Sequence, residues 1–190
     1  MPIDLHPTAA TVGGLLCALP DEALQRPTPC PDYSVGDLID HVNSFCLGFT
    51  AAAKREVRDQ RPPPGAADRL PDDWREQIPQ RLDELAAAWS DAAAWEGMTG
   101  VAGLELPGEV AGMIALDELV VHGWDLAVAT GQPYDVAPEV LVPLHGFVEG
   151  FVGDGPPREG LFGAPVPVPD DAPVLHRILG LTGRDPAWTP

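Results

Sequence analysis

The sequence predicts an all-α helical bundle built as one domain with long connections. Apolar residues recur at helical spacing in several separate segments, stretches rich in Pro and Gly divide those segments, and no convincing set of strands is present. A length of 190 residues is enough for one domain with a real core, or for one domain with a short C-terminal appendage. The 23 Pro and 20 Gly imply long connections, with one or more crossovers between helices.

A first helix is expected from about Ala9 to Leu19, where Val12, Leu15, Leu16 and Leu19 share a face and Pro20 ends the run. Pro27, Pro29 and Pro31 make the following stretch a loop. Ser34 then reads as a helix N-cap with Asp37 three residues on, a capping box with Asp in place of Glu. Leu38, Val42, Phe45 and Phe49 follow at helical spacing, so a second helix should run to about Val57. The run from Arg61 to Gly65, with Pro62, Pro63 and Pro64, breaks the chain. Trp74, Ile78, Leu82, Leu85 and Trp89 mark a third helix, in which Pro79 should make a kink or set the true start.

Gly97 to Pro107 reads as a loop or a short hairpin. From about Gly108 to Thr130 the chain is apolar nearly all round, which marks a central helix covered by neighbours on several sides. A fifth helix is expected from Val136 to Val152 despite Pro143, an extended connection from Gly153 to Asp171, and a short last helix from Pro173 to Leu181.

Composition excludes several function classes. Eleven Lys and Arg against 29 Asp and Glu leave a net charge of -18, which repels phosphate backbones and anionic lipid surfaces. No nucleic-acid or membrane partner is expected. No stretch approaches the ~20 apolar residues of a membrane span, and Met1 to His6 lacks the basic start of a signal peptide, so a cytoplasmic protein is expected. Cys17, Cys30 and Cys46 cannot all pair and form no C-x-x-C, so they read as reduced thiols. Patterns for nucleophile elbows, phosphate-binding loops and H-E-x-x-H metal sites are absent from the sequence.

One constellation can carry chemistry. Glu118 and His122 are four apart on the central helix, so they share a face and can reach one ion. The spacing alone is weak, since roughly one acid-to-His pair at this interval is expected by chance in such an acidic chain. Their place is more telling: an ionised Glu on a nearly all-apolar helix costs several kcal/mol unless it is paired or bound to a cation. Ala111, Ala115 and Ala129 on the same stripe would leave room for an ion. Asp125 lies close to that face and can orient a ligating imidazole. His41, on the shoulder of the second helix, can supply a third ligand. Three such ligands leave a position for water or substrate, the pattern of a catalytic site. The plainer alternative stays open: a His beside an apolar stripe is commonly a satisfied core residue, and a Glu–His pair can simply hydrogen-bond. His145 and His176, without an acid at i-4, read as structural, and His6 as exposed.

Thr28-Pro-Cys-Pro-Asp-Tyr-Ser-Val-Gly-Asp-Leu-Ile-Asp-His41 and Glu118-Leu-Val-Val-His-Gly-Trp-Asp-Leu-Ala-Val-Ala-Thr-Gly131 resemble the two signatures of short actinobacterial metal-binding proteins of the DinB superfamily. These proteins are related to mycothiol-dependent maleylpyruvate isomerase. The stretches Phe162 to Pro173 and Gly183 to Pro186 resemble their C-terminal tail. The resemblance implies a DinB-like up-and-down four-helix bundle over residues 1–153, with a C-terminal extended segment and short helix over 154–190 packed on it. It also implies a divalent ion between helices, held by His41, Glu118 and His122. The isomerase carries a further C-terminal α/β domain for which a chain ending at Pro190 leaves no room. Its thiol-binding arginine has no evident place here, so maleylpyruvate isomerisation itself is not expected.

The function expected is therefore a metal-dependent S-transferase or isomerase that joins a low-molecular-weight thiol such as mycothiol to a small electrophile. Zinc suits thiolates best, and nickel or iron would tolerate the same donors. Asp125 would tune the site. A metal-dependent hydrolase using the same residues and a non-catalytic metal- or ligand-binding module are the alternatives. A homodimer is an open arrangement, and so is a part for Cys30.

Overall fold

The computed structural model describes residues 2–56, 62–152 and 162–190. Six α-helices dominate the described residues: α1 (His6–Cys17), α2 (Val35–Ala53), α3 (Trp74–Trp89), α4 (Gly108–Thr130), α5 (Pro138–Val152) and α6 (Val174–Leu181). One antiparallel hairpin, β1 (Met98–Val101) with β2 (Leu104–Pro107), fills the stretch before α4. The fold is thus all-α, as the periodicity predicts. The second helix ends at Ala53, short of the expected Val57, because the chain turns at Lys54 and Arg55, where Arg55 has a φ of 56°; Val57 itself, the expected boundary after residue 153 and part of the expected extended connection lie outside the described residues.

Sequence chemistry explains each helix and each shift from expectation. α1 begins at His6, three residues before the expected start, because Pro7 falls in the first turn, where its missing N–H breaks no helical bond. α2 starts at the capping box: Ser34 accepts from the Asp37 N–H, and Asp37 accepts from the Ser34 N–H at 3.0 Å. Pro79 neither ends nor starts α3, which runs from Trp74 through it. The Arg75 carbonyl that Pro79 leaves without a helical partner lies 3.9 Å from the Cys17 thiol, which donates to it. α4 spans Gly108 to Thr130 as expected and ends at Gly131, whose φ of 69° is the left-handed conformation that closes helices.

α1 packs on α3 and α4, and α2 packs on the same two helices, so these four form a closed ring around the core. Contacts fix their directions. Gly13 of α1 faces Pro79 while Cys17 meets Arg75, so α1 and α3 run oppositely. Asn43 accepts from Arg81, and Trp89 Nε1 donates to the Phe49 carbonyl, so α2 and α3 run the same way. Gly112 lies against the Trp89 ring, which sets α4 antiparallel to both. The order is up, down, down, up, which puts a crossover between α2 and α3, a position that the sequence left open.

The described part of that crossover lies along the start of α2. Ala67 N–H donates to Asp37 and Ala66 N–H to Asp40, at 2.8 and 3.0 Å, and Arg69 pairs with Asp40 at 2.6 Å. Gly65 passes so close that an added Cβ would meet the Asp37 carbonyl oxygen at 2.2 Å and the His41 Cβ at 3.1 Å. Only a residue without a side chain fits there. Outside the ring, α5 packs on α4 and α6 packs on α5.

Removing the α2 cap provides a test of this account. Ser34→Ala is expected to cost about 1 kcal/mol, a fall of a few degrees in melting temperature, with the helical content of the folded protein unchanged. A melt followed by circular dichroism would measure it.

Candidate metal centre

α4 owes its position to its composition: nearly every side chain on it is buried, including Leu116, Leu119, Val120 and Leu126 at 0% exposure. Burial on all sides fixes its rotation about its own axis. That rotation turns Glu118 and His122 toward α2, where His41 stands two turns beyond the capping box.

The three side chains converge. His41 Nε2 lies 3.1 Å and His122 Nε2 3.2 Å from the same oxygen, Glu118 Oε2, and one donor atom from each residue falls within 4.8 Å of the other two. Neighbouring ligands of a tetrahedral ion with bonds of ~2.0–2.1 Å sit ~3.3 Å apart, a spacing that the two imidazole–carboxylate distances match, so the three side chains form a set that can hold one ion. Two nitrogens and one hard oxygen suit zinc, nickel or iron. The side chains of His41 and Glu118 remain 24% and 20% exposed and His122 10%, so solvent reaches the donor cluster.

Behind the donors, His122 Nδ1 meets Asp125 Oδ2 at 2.9 Å. Asp125 is wholly buried, and its Oδ2 also accepts from Arg184 at 3.1 Å. Burial disfavours charge on Glu118, but the hydrogen bonds of His122 and His41 outweigh it and hold the carboxyl well below the usual range. For His122 burial likewise opposes the proton, and the bonds to Asp125 and Glu118 overcome it, raising the imidazole to about 9. Without an ion, the two carboxylates therefore favour the doubly protonated ring, which can donate from both nitrogens. Binding a cation at Nε2 means displacing that proton.

Around His41, the Tyr33 ring stands 5.4 Å away and the Phe45 ring 5.8 Å away. Ala111, Ala115 and Ala129 are buried in the core cluster. Of the other histidines, His6 is exposed beside Asp4, and His145 stands 4.0 Å from Glu149. Cys30 is half-buried, and burial pushes its thiol up to about 11, with the Arg184 charge opposing and the Asp125 charge assisting.

Two residues were not among the sequence candidates. Arg184 reaches the site from the C-terminal segment. Its signal was indirect: a second carboxylate, Asp125, on an apolar helix needs a cation of its own. Asp117 is 5% exposed, and among the described residues its Oδ1 has no hydrogen-bond partner. Burial first, then the neighbouring Glu118, raises it to about 7. The reasoning that singled out Glu118 applies equally to Asp117.

If the cluster holds an ion, purified protein will take up one Zn2+ per chain. Glu118→Gln and His122→Ala will each lose more affinity than the roughly 10–100-fold typical of supporting residues, while His145→Ala will bind as the parent does. Titration calorimetry on the four proteins would show it.

Comparison with known proteins follows the same line. The family described as the mycothiol maleylpyruvate isomerase N-terminal domain matches residues 5–127, a span holding His41, Glu118, His122 and Asp125. An uncharacterized protein of Mycobacterium tuberculosis, found in two strains, is 30% identical over 176 residues, 90% of either chain. No solved structure matches the chain. Among the described residues no helix is long and apolar enough to cross a membrane. With the match covering most of the bundle, the chain belongs to the mycothiol maleylpyruvate isomerase N-terminal domain family.

Proposed function

We propose that this protein is a divalent-metal enzyme of thiol chemistry, an S-transferase or isomerase that uses a low-molecular-weight thiol of the mycothiol type on small electrophiles in the cytoplasm. The observation that carries this reading is the convergence of His41, Glu118 and His122 on one point that solvent reaches, in a family whose description names mycothiol. Three protein donors with room for another are the arrangement of a working site rather than a sealed structural one.

The ion, zinc by preference, would supply the Lewis acidity that keeps a thiol ionised at neutral pH. The protein's own residues do the rest. His41 and His122 present Nε2, Glu118 presents Oε2, and Asp125 holds the Nδ1 proton of His122 so that its other nitrogen stays directed at the site. Tyr33 and Phe45 flank His41 and limit the directions its ring can take.

Turnover assays with purified protein test the proposal. Metal-loaded protein, a low-molecular-weight thiol and a panel of small electrophiles should give thioether formation or thiol-dependent isomerisation that a chelator abolishes and His122→Ala lacks. Metal binding without turnover across the panel would count against it. Activity that persists with no thiol present would replace it with a hydrolase that uses water at the same residues.

A further inference from the structure

The family match ends at residue 127, yet a side chain far beyond that point touches the candidate site. α6 ends in a tight turn: Arg184 N–H donates to the Leu179 carbonyl at 2.8 Å, Gly183 N–H to Gly180 at 3.2 Å, and Gly183 has a φ of 86°. This paired closure with a left-handed glycine reverses the chain and sends Arg184 back toward α4. Its guanidinium donates through one nitrogen to the Thr182 carbonyl at 2.9 Å and through the other to Asp125 Oδ2 at 3.1 Å. The extended stretch before α6 braces the turn. Val166 N–H donates to Gly180, Gly163 N–H donates to Thr182, and Gly180 lies so near Val166 and Val168 that a Cβ would collide with both.

Asp125 is thereby shared. One fully buried oxygen accepts from His122 Nδ1 and from Arg184, while among the described residues Oδ1 has no partner. An ionised carboxylate with no exposure and one donor would be costly to bury and free to turn about its side-chain bonds. The guanidinium is a permanent cation, and it fixes the oxygen that fixes the imidazole.

We infer that Arg184 is a positioning residue of the metal centre, acting through Asp125 on His122, so that the C-terminal segment is part of the site rather than an appendage to it. This inference rests on the metal-binding reading above.

The test compares Arg184→Gln, Arg184→Lys and a control in the same segment, Arg177→Gln, whose side chain donates to the Asp170 carbonyl and does not touch Asp125. Zn2+ affinity is measured by competition with a chromophoric chelator, the Co2+-loaded proteins are compared by visible absorption, and melting curves verify folding. Arg184→Gln should lose roughly 10–100-fold in affinity and change the Co2+ spectrum. Arg184→Lys, which restores charge without the planar fork, should recover part of the loss. Arg177→Gln should bind within about threefold of the parent, the ordinary scatter of a residue that supports no ligand. Affinity and spectrum unchanged in Arg184→Gln would overturn the inference, and so would an equal loss in Arg177→Gln. If the parent takes up no metal, the metal reading fails by itself. The metal-free proteins then decide: 15N resonances of His122 that shift in Arg184→Gln but not in Arg177→Gln support the positioning role, and resonances that stay in place refute it.

Discussion

Glu118 lies on a helix whose surface is otherwise given over to the core, and the arrangement around it follows from the need to answer its charge. Two imidazoles converge on one of its oxygens from two different helices. An isolated carboxylate at that depth would cost several kcal/mol. With two nitrogens beside it the position has the donor set that can hold a cation. The capping box that starts α2, the crossover pressed on its first turns and the all-round burial of α4 can be understood as the means of bringing His41 and His122 to that oxygen.

Much of this was legible from the residues. The Ser34–Asp37 cap, the apolar stripe of α2 and the unbroken apolar run of α4 each fix a helix with no tertiary information, and Gly131 marks where α4 stops. Proline was harder to interpret, because its effect depends on where in a turn it falls. Pro7 and Pro79 both lie inside helices, one in a first turn and the other where a neighbouring thiol takes up the freed carbonyl. Periodicity specifies which face of a helix is apolar and leaves open which helix lies against it, so the shared direction of α2 and α3 emerges only from contacts such as Asn43 with Arg81.

The site shows the same division. Glu118 and His122 were visible from their spacing on an apolar helix, and Asp125 from its place one turn on. His41 was a candidate from its place on the shoulder of the apolar stripe of α2, and the family resemblance named it too, but only the packing of α2 on α4 makes it a neighbour of Glu118. Arg184 was invisible because its partner lies 59 residues earlier and nothing local requires the contact. Asp117 was overlooked beside a residue of the same chemistry, although its burial is deeper than that of Glu118.

His41 and Glu118 are separated by 77 positions, and the two helices that carry them meet only after the crossover, α3 and the hairpin have been traversed. The donor cluster is therefore a non-local contact, formed against the entropy of closing a long loop. No short stretch of the unfolded chain offers the same grip, so a cation would distinguish the assembled bundle from its precursors and draw the population toward the native form. Cofactor supply and the half-life of the folded chain in the cell would then be coupled through a single group of side chains.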